Sequence, residues 1–151
     1  MVQPDVAISG AKGSMEYLVG LVLAAVVCAF AMLGGLDRDR VFYPTLMMPI
    51  ATYYILFAVM GKSTRATMIE SLVAGAFLML ALAGFKTNLW VTAAALAGHG
   101  VFDFYHDVVI QNPGVPVWWP GFCMSFDILA GGFLALLLMR RRGFALAVTR
   151  S

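Results

Sequence analysis

The apolar positions of this chain fall into five long runs separated by short polar interruptions: Met15 to Leu33, Val41 to Met60, Met68 to Phe85, Leu89 to Ile110 and Phe122 to Met139. A helix crosses the hydrocarbon core of a bilayer with about 20 largely apolar residues, and roughly 17 to 25 are tolerated. Each run has such a length, so the pattern predicts an all-α membrane protein built as a bundle of five transmembrane helices. The connections are short, which favours antiparallel neighbours and leaves no room for a soluble domain. The expected organisation is an N-terminal tail over 1–14, a five-helix transmembrane domain over 15–139 and a basic C-terminal tail over 140–151.

Composition agrees with the pattern. A mean hydropathy of +0.88 with 12% charged residues lies outside the range of soluble globular domains. The net charge of +2 is scattered over short loops and the C-terminus, which excludes a nucleic-acid surface and makes the basic residues topology signals. With the C-terminus in the cytoplasm, the inner side carries Arg38, Arg40, Lys86, Arg140, Arg141, Arg142 and Arg150, and the outer side carries Lys12, Lys62 and Arg65. The positive-inside rule therefore predicts N-terminus out and C-terminus in. Ala29-Phe30-Ala31 resembles a signal-peptide cleavage site. Cleavage there would leave four spans and carry the arginine cluster outward, so the first run is expected to stay as a span. Gly34-Gly35 should close this helix. Asp37 and Asp39 in the following charged turn read as solvated loop groups. Cys28 and Cys123 fall at opposite depths, too far apart for a disulfide, which needs Cα atoms within about 7 Å.

The chemistry concentrates in the fourth run. His99, Asp103 and His106 are spaced H-x-x-x-D-x-x-H, which at about 100° per residue puts them within one narrow stripe of a helix. Ionisable groups at membrane depth face a bundle interior or a watery cavity. From Thr87 to Met139 the chain has no Lys or Arg, so no basic side chain in that stretch neutralises Asp103, Asp107 or Asp127. The Pro113-Gly114 turn and the Trp118-Trp119 anchor fix the depth of the fifth helix against the fourth. Counting residues, His106 lies about 6 Å, Asp103 about 10 Å and Asp127 about 8 Å below the outer end. These three are expected to meet. His99, about 10 Å deeper than His106, is expected to support them. Ala94 and Gly98, and Gly131 and Ala135, offer small surfaces for close helix approach.

Asp103, His106 and Asp127 with His99 suit a divalent zinc, iron or manganese ion by donor type. Glu70, Cys123, Tyr53 and Asp107 are supporting candidates. Glu70 is explained slightly better as a charge in the first turn of its helix than as a site residue, and either Tyr53 or Tyr54 could reach the site from the second helix. Three uses of the cluster stay open. One is a metal site, acting enzymatically on a lipid-soluble substrate. The second is a small transporter or proton relay, and the third a structural core of an accessory subunit in a homo-oligomer or membrane complex. No P-loop, dinucleotide glycine motif or serine–histidine–aspartate order is present.

The strings Asp39-Arg40-Val41-Phe42-Tyr43-Pro44-Thr45, Tyr53-Tyr54-Ile55-Leu56-Phe57-Ala58, His99-Gly100-Val101-Phe102-Asp103 and Trp119-Pro120-Gly121-Phe122-Cys123 through Phe126-Asp127 together resemble small multi-pass membrane proteins of bacteria of uncharacterised role. The resemblance covers most of the chain outside the tails. It implies the bacterial inner membrane as location and carries no activity with it.

Overall fold

A computed structural model describes the backbone over residues 5–148 and the side chains over 15–141. Expectations resting on Lys12, Arg142 and Arg150 and on the ends of both tails lie outside the described side chains. The described chain is all-helical, without strands: α1 (Asp5–Leu33), a 3-10 turn (Leu36–Arg38), α2 (Phe42–Met60), α3 (Thr64–Lys86), α4 (Leu89–Val109) and α5 (Trp119–Val148). Four of these, α1, α2, α3 and α5, hold stretches long and apolar enough to cross a membrane. The fourth helix is comparably long at 21 residues, but its polar stripe sets it apart from them.

Helix ends follow local chemistry. Gly35, at φ 71°, takes the left-handed conformation that closes α1, as the Gly34-Gly35 pair predicts. Ser63 caps α3 by accepting from the Ala66 N–H at 3.2 Å, and Asn88 caps α4 by accepting from the Trp90 N–H at 3.0 Å. Pro44 sits in the first turn of α2, where its missing donor costs nothing. Pro49 lies inside that helix and frees a carbonyl one turn earlier.

The helices pack in the order α2, α3, α4, α5, α1, and α2 also touches α4. The α4–α5 seam is tight because Gly100 faces Ile128 and the Met124 carbonyl, and Gly131 faces the Ala93 carbonyl and Ala97 amide. Gly131 is one of the small residues expected to allow this approach. Ala94 and Gly98 instead face outward, and Gly98 has nothing within 4 Å of its would-be side chain. The seam uses Gly100, one turn-step round the helix.

Two ends of the bundle are defined by contacts. At the first, Gly61 of the α2–α3 connection packs against Gly114 of the α4–α5 connection; we term it the hairpin end. At the other, Arg141 donates to the Asp37 carbonyl at 2.8 Å and lies 3.5 Å from its carboxylate, while Arg40 donates to the Gly84 carbonyl at 3.4 Å. This arginine end gathers the α1–α2 turn, the end of α3 and the C-terminal half of α5. Asp37 is thus not the solvated loop residue that the charge run suggests. It is 8% exposed because the arginine of α5 reaches across to it.

Candidate functional site

The polar stripe of α4 faces the interior throughout: His99, Asp103 and His106 are each at most 1% exposed. What it meets there divides it in two. Toward the arginine end, His99 Nδ1 lies 2.8 Å from Asp127 Oδ2 and 3.3 Å from Asp103 Oδ2. Tyr54 of α2 donates its hydroxyl to Asp103 Oδ1 at 2.8 Å. One ligating atom from each of His99, Asp103 and Asp127 lies within 4.8 Å of the others. Asp103 Oδ2 and Asp127 Oδ1 are buried without a hydrogen bond.

Toward the hairpin end, His106 Nε2 lies 2.8 Å from Glu70 Oε1 of α3, and its Nδ1 lies 3.2 Å from Asp107 Oδ1. Asn112 donates to the same Glu70 oxygen at 2.9 Å and to the Tyr54 carbonyl at 3.1 Å. The Tyr54 ring stacks on the His106 ring at 3.9 Å and 12°. Tyr54 therefore touches both clusters, one with its ring face and the other with its hydroxyl.

This grouping differs from the sequence expectation in one respect. Asp103 and Asp127 do come together, but His99 joins them where His106 was expected. The reason is where α5 starts. It begins at Trp119, with the Phe122 N–H already bonded to the Trp118 carbonyl at 3.2 Å, so Asp127 lies about 12 Å along its helix. Measured from Val109, His99 and Asp103 lie about 15 and 9 Å deep, and His106 only about 4.5 Å. Asp127 is level with the first pair. The start of α3 moves likewise, from Met68 to Thr64. Glu70 then sits in the second turn, 1% exposed, and its role is to pair with His106 and not to compensate a helix end.

The supporting candidates separate as well. Cys123 is buried one turn before Asp127, and both cysteines are free, as expected from their separation. Asp107 has a side chain 73% exposed and, among the described residues, pairs with His106. Tyr53 turns away and packs on Trp119, with ring centroids 4.9 Å apart, so Tyr54 is the tyrosine of the site. A signal for this was available: Tyr43, Met47, Ile50, Tyr54 and Phe57, the buried stripe of α2, recur at alternating steps of four and three, and Tyr53 is off that stripe. Asn112 was also missed, and an amide beside a Pro-Gly turn carries no distinctive pattern.

The two clusters differ in charge. Around His106 there is one imidazole, one buried carboxylate and an exposed one, so a single proton on the ring would suffice to balance Glu70. Around His99 there is one imidazole for two buried carboxylates, and among the described residues no Lys or Arg is bonded to either. A protonated His99 still leaves one negative charge in a dry interior, which is costly without a further cation or proton. One nitrogen and two carboxylates make a donor set that suits zinc, iron or manganese.

Comparison with protein-family models, with curated proteins and with solved structures finds no match. Fold and site by themselves define a helical protein with several helices fit to cross a membrane and a buried histidine–aspartate cluster between them.

Proposed function

We propose that this protein is a polytopic metalloprotein of the bacterial inner membrane, in which His99, Asp103 and Asp127 hold one divalent cation. In this reading all five helices span. At about 1.5 Å per residue α4 is about 32 Å long, close to the roughly 30 Å hydrocarbon core. Its polar stripe is turned inward and shielded from lipid. The distribution of Lys and Arg supports placing the arginine end in the cytoplasm and the hairpin end outside, which puts the cluster in the outer half.

The observation that carries the reading is the uncompensated charge of the triangle. A divalent ion with neutral His99 and two carboxylates gives a neutral site. Each of the two carboxylates also keeps one buried oxygen without a hydrogen bond, free to take a further partner. Tyr54, donating to Asp103, would orient that ligand from behind. Three protein ligands leave a position open, the arrangement of catalytic and not of closed structural sites. The function this supports is Lewis-acid or hydrolytic chemistry on a lipid-soluble substrate. Elemental analysis of protein purified in detergent tests it: about one zinc, iron or manganese per chain is expected, and folded protein free of metal retires the proposal.

A second reading, a proton relay, draws on the other cluster. Asp107, His106 and Glu70 form a hydrogen-bonded line from an exposed carboxylate to a buried one. Proton flux into vesicles that is abolished by His106→Phe would favour it, and flux no greater than in empty vesicles would remove it.

A further inference from the structure

The α1 and α2 helices are joined by a short turn, yet have no extensive contact with each other. They meet near the arginine end, where Cys28 packs against Tyr43, and separate toward the hairpin end. Between them, floored by α5, runs a groove of ≈ 740 Å³, within the roughly 300 to 1,000 Å³ of small-molecule sites. Its wall on α1 extends from Met15 to Val27, about 18 Å along the helix axis. The long axis therefore follows the direction of lipid chains. The lining is apolar along its length, with Val19, Leu23, Ile50 and Phe126 among its residues, and among the described residues its one charged member is Glu16 near the hairpin end. That carboxylate faces Gly121 in the first turn of α5, where an added Cβ would lie 2.5 Å from Glu16 Oε1. Trp118 and Trp119 flank the same mouth, as aromatic residues do at the headgroup level.

We propose that this groove is a specific site for one amine-headed membrane lipid, with a hydrocarbon chain along Leu23 and its ammonium group on Glu16. A groove between spans faces hydrocarbon along its length, so a chain is the occupant at hand, and the Glu16 carboxylate at its headgroup end selects a positive head over an anionic one. The floor includes Cys123, one helical turn before Asp127, so the lipid lies beside the wall of the histidine–aspartate triangle. The proposal names the class of lipid-soluble molecule in the function above and rests on the membrane placement given there, independently of the metal.

The test is native mass spectrometry of the full chain, released from detergent micelles containing either phosphatidylethanolamine or phosphatidylglycerol, with metal content read on the same sample. Phosphatidylethanolamine should be retained at one copy per chain and preferred roughly fivefold, the size of about one interfacial ion pair. Glu16→Gln should erase that preference while keeping a bound lipid. Leu23→Trp, or Val19→Trp if the first variant does not fold, should lose the lipid and keep the metal content of the parent. Equal retention of both lipids by the parent protein, or undiminished retention in the tryptophan variants, overturns the lipid site whatever the metal content. Selective lipid with no metal refutes the metal reading alone.

Discussion

Tyr54→Phe separates the two contacts that Tyr54 makes. The phenylalanine ring keeps the stack on His106, which lies face to face at 3.9 Å and 12°, so packing and the His106–Glu70 pair should survive. Only the hydroxyl is lost, and with it the 2.8 Å hydrogen bond to Asp103 Oδ1. In water a buried hydrogen bond to a charged group is worth about 1.5–3 kcal/mol. Within a bilayer the measured mean is nearer 0.6 kcal/mol, with a maximum of about 1.7, because the unfolded spans find partners too. Asp103 already has one oxygen without a hydrogen bond, so losing the bond to the other places the cost toward the upper end, about 1–1.7 kcal/mol. If Asp103 is a metal ligand, the lost donor also disorders it, and removal of such a partner typically lowers metal affinity about 10- to 100-fold. Two assays read the two effects: reversible unfolding in mixed micelles for stability, and competition with a chelator for metal affinity. A variant that loses stability while its metal affinity is unchanged would show that Tyr54 only holds helices together, and would refute this account of its hydroxyl.

Other consequences follow from the seams and the hairpin. Gly131→Ala puts a Cβ 2.9 Å from the Ala93 carbonyl and should cost about 1–3 kcal/mol by overpacking; Gly98→Ala meets nothing and should be neutral or gain up to about 1 kcal/mol in helix propensity, so similar unfolding midpoints for the two would contradict the α4–α5 seam. Asn112→Ala removes hydrogen bonds from Glu70 and from the Tyr54 carbonyl. Amide exchange in the 110–118 connection should quicken by about 5- to 10-fold for the loss of about 1 kcal/mol, with no change at the arginine end. Arg141→Ala frees the half-buried turn at Asp37 and should cost about 1 kcal/mol, read by thermal unfolding in detergent; no shift would mean that this cross-bundle contact contributes nothing.

The helical class and the five segments were legible because long apolar runs between short polar turns mark helices by length and composition together, and the stripe of α4 was legible because 3.6-residue periodicity puts His99, Asp103 and His106 on one face whatever the neighbours do. Their partners were not. Apolar runs mark where lipid-compatible sequence begins, whereas a helix begins where its first backbone groups bond, and Trp119 and Thr64 start their helices before the apolar runs do. A shift of three or four residues moves a side chain by about 5 Å, enough to exchange His106 for His99 beside Asp127 and to take Glu70 from a helix end into a buried pair. Asn112 and the Asp37–Arg141 contact depend on which loops share an end of the bundle, which residue order leaves open.

The central claim is that the triangle, and not the stripe as a whole, holds a cation. Metal content per chain in His99→Asn and His106→Asn, each purified in detergent and checked for folding, tests it most directly. The account predicts that His99→Asn loses nearly all bound metal while His106→Asn keeps the parent stoichiometry. Equal loss in both, or retention in both, would contradict it.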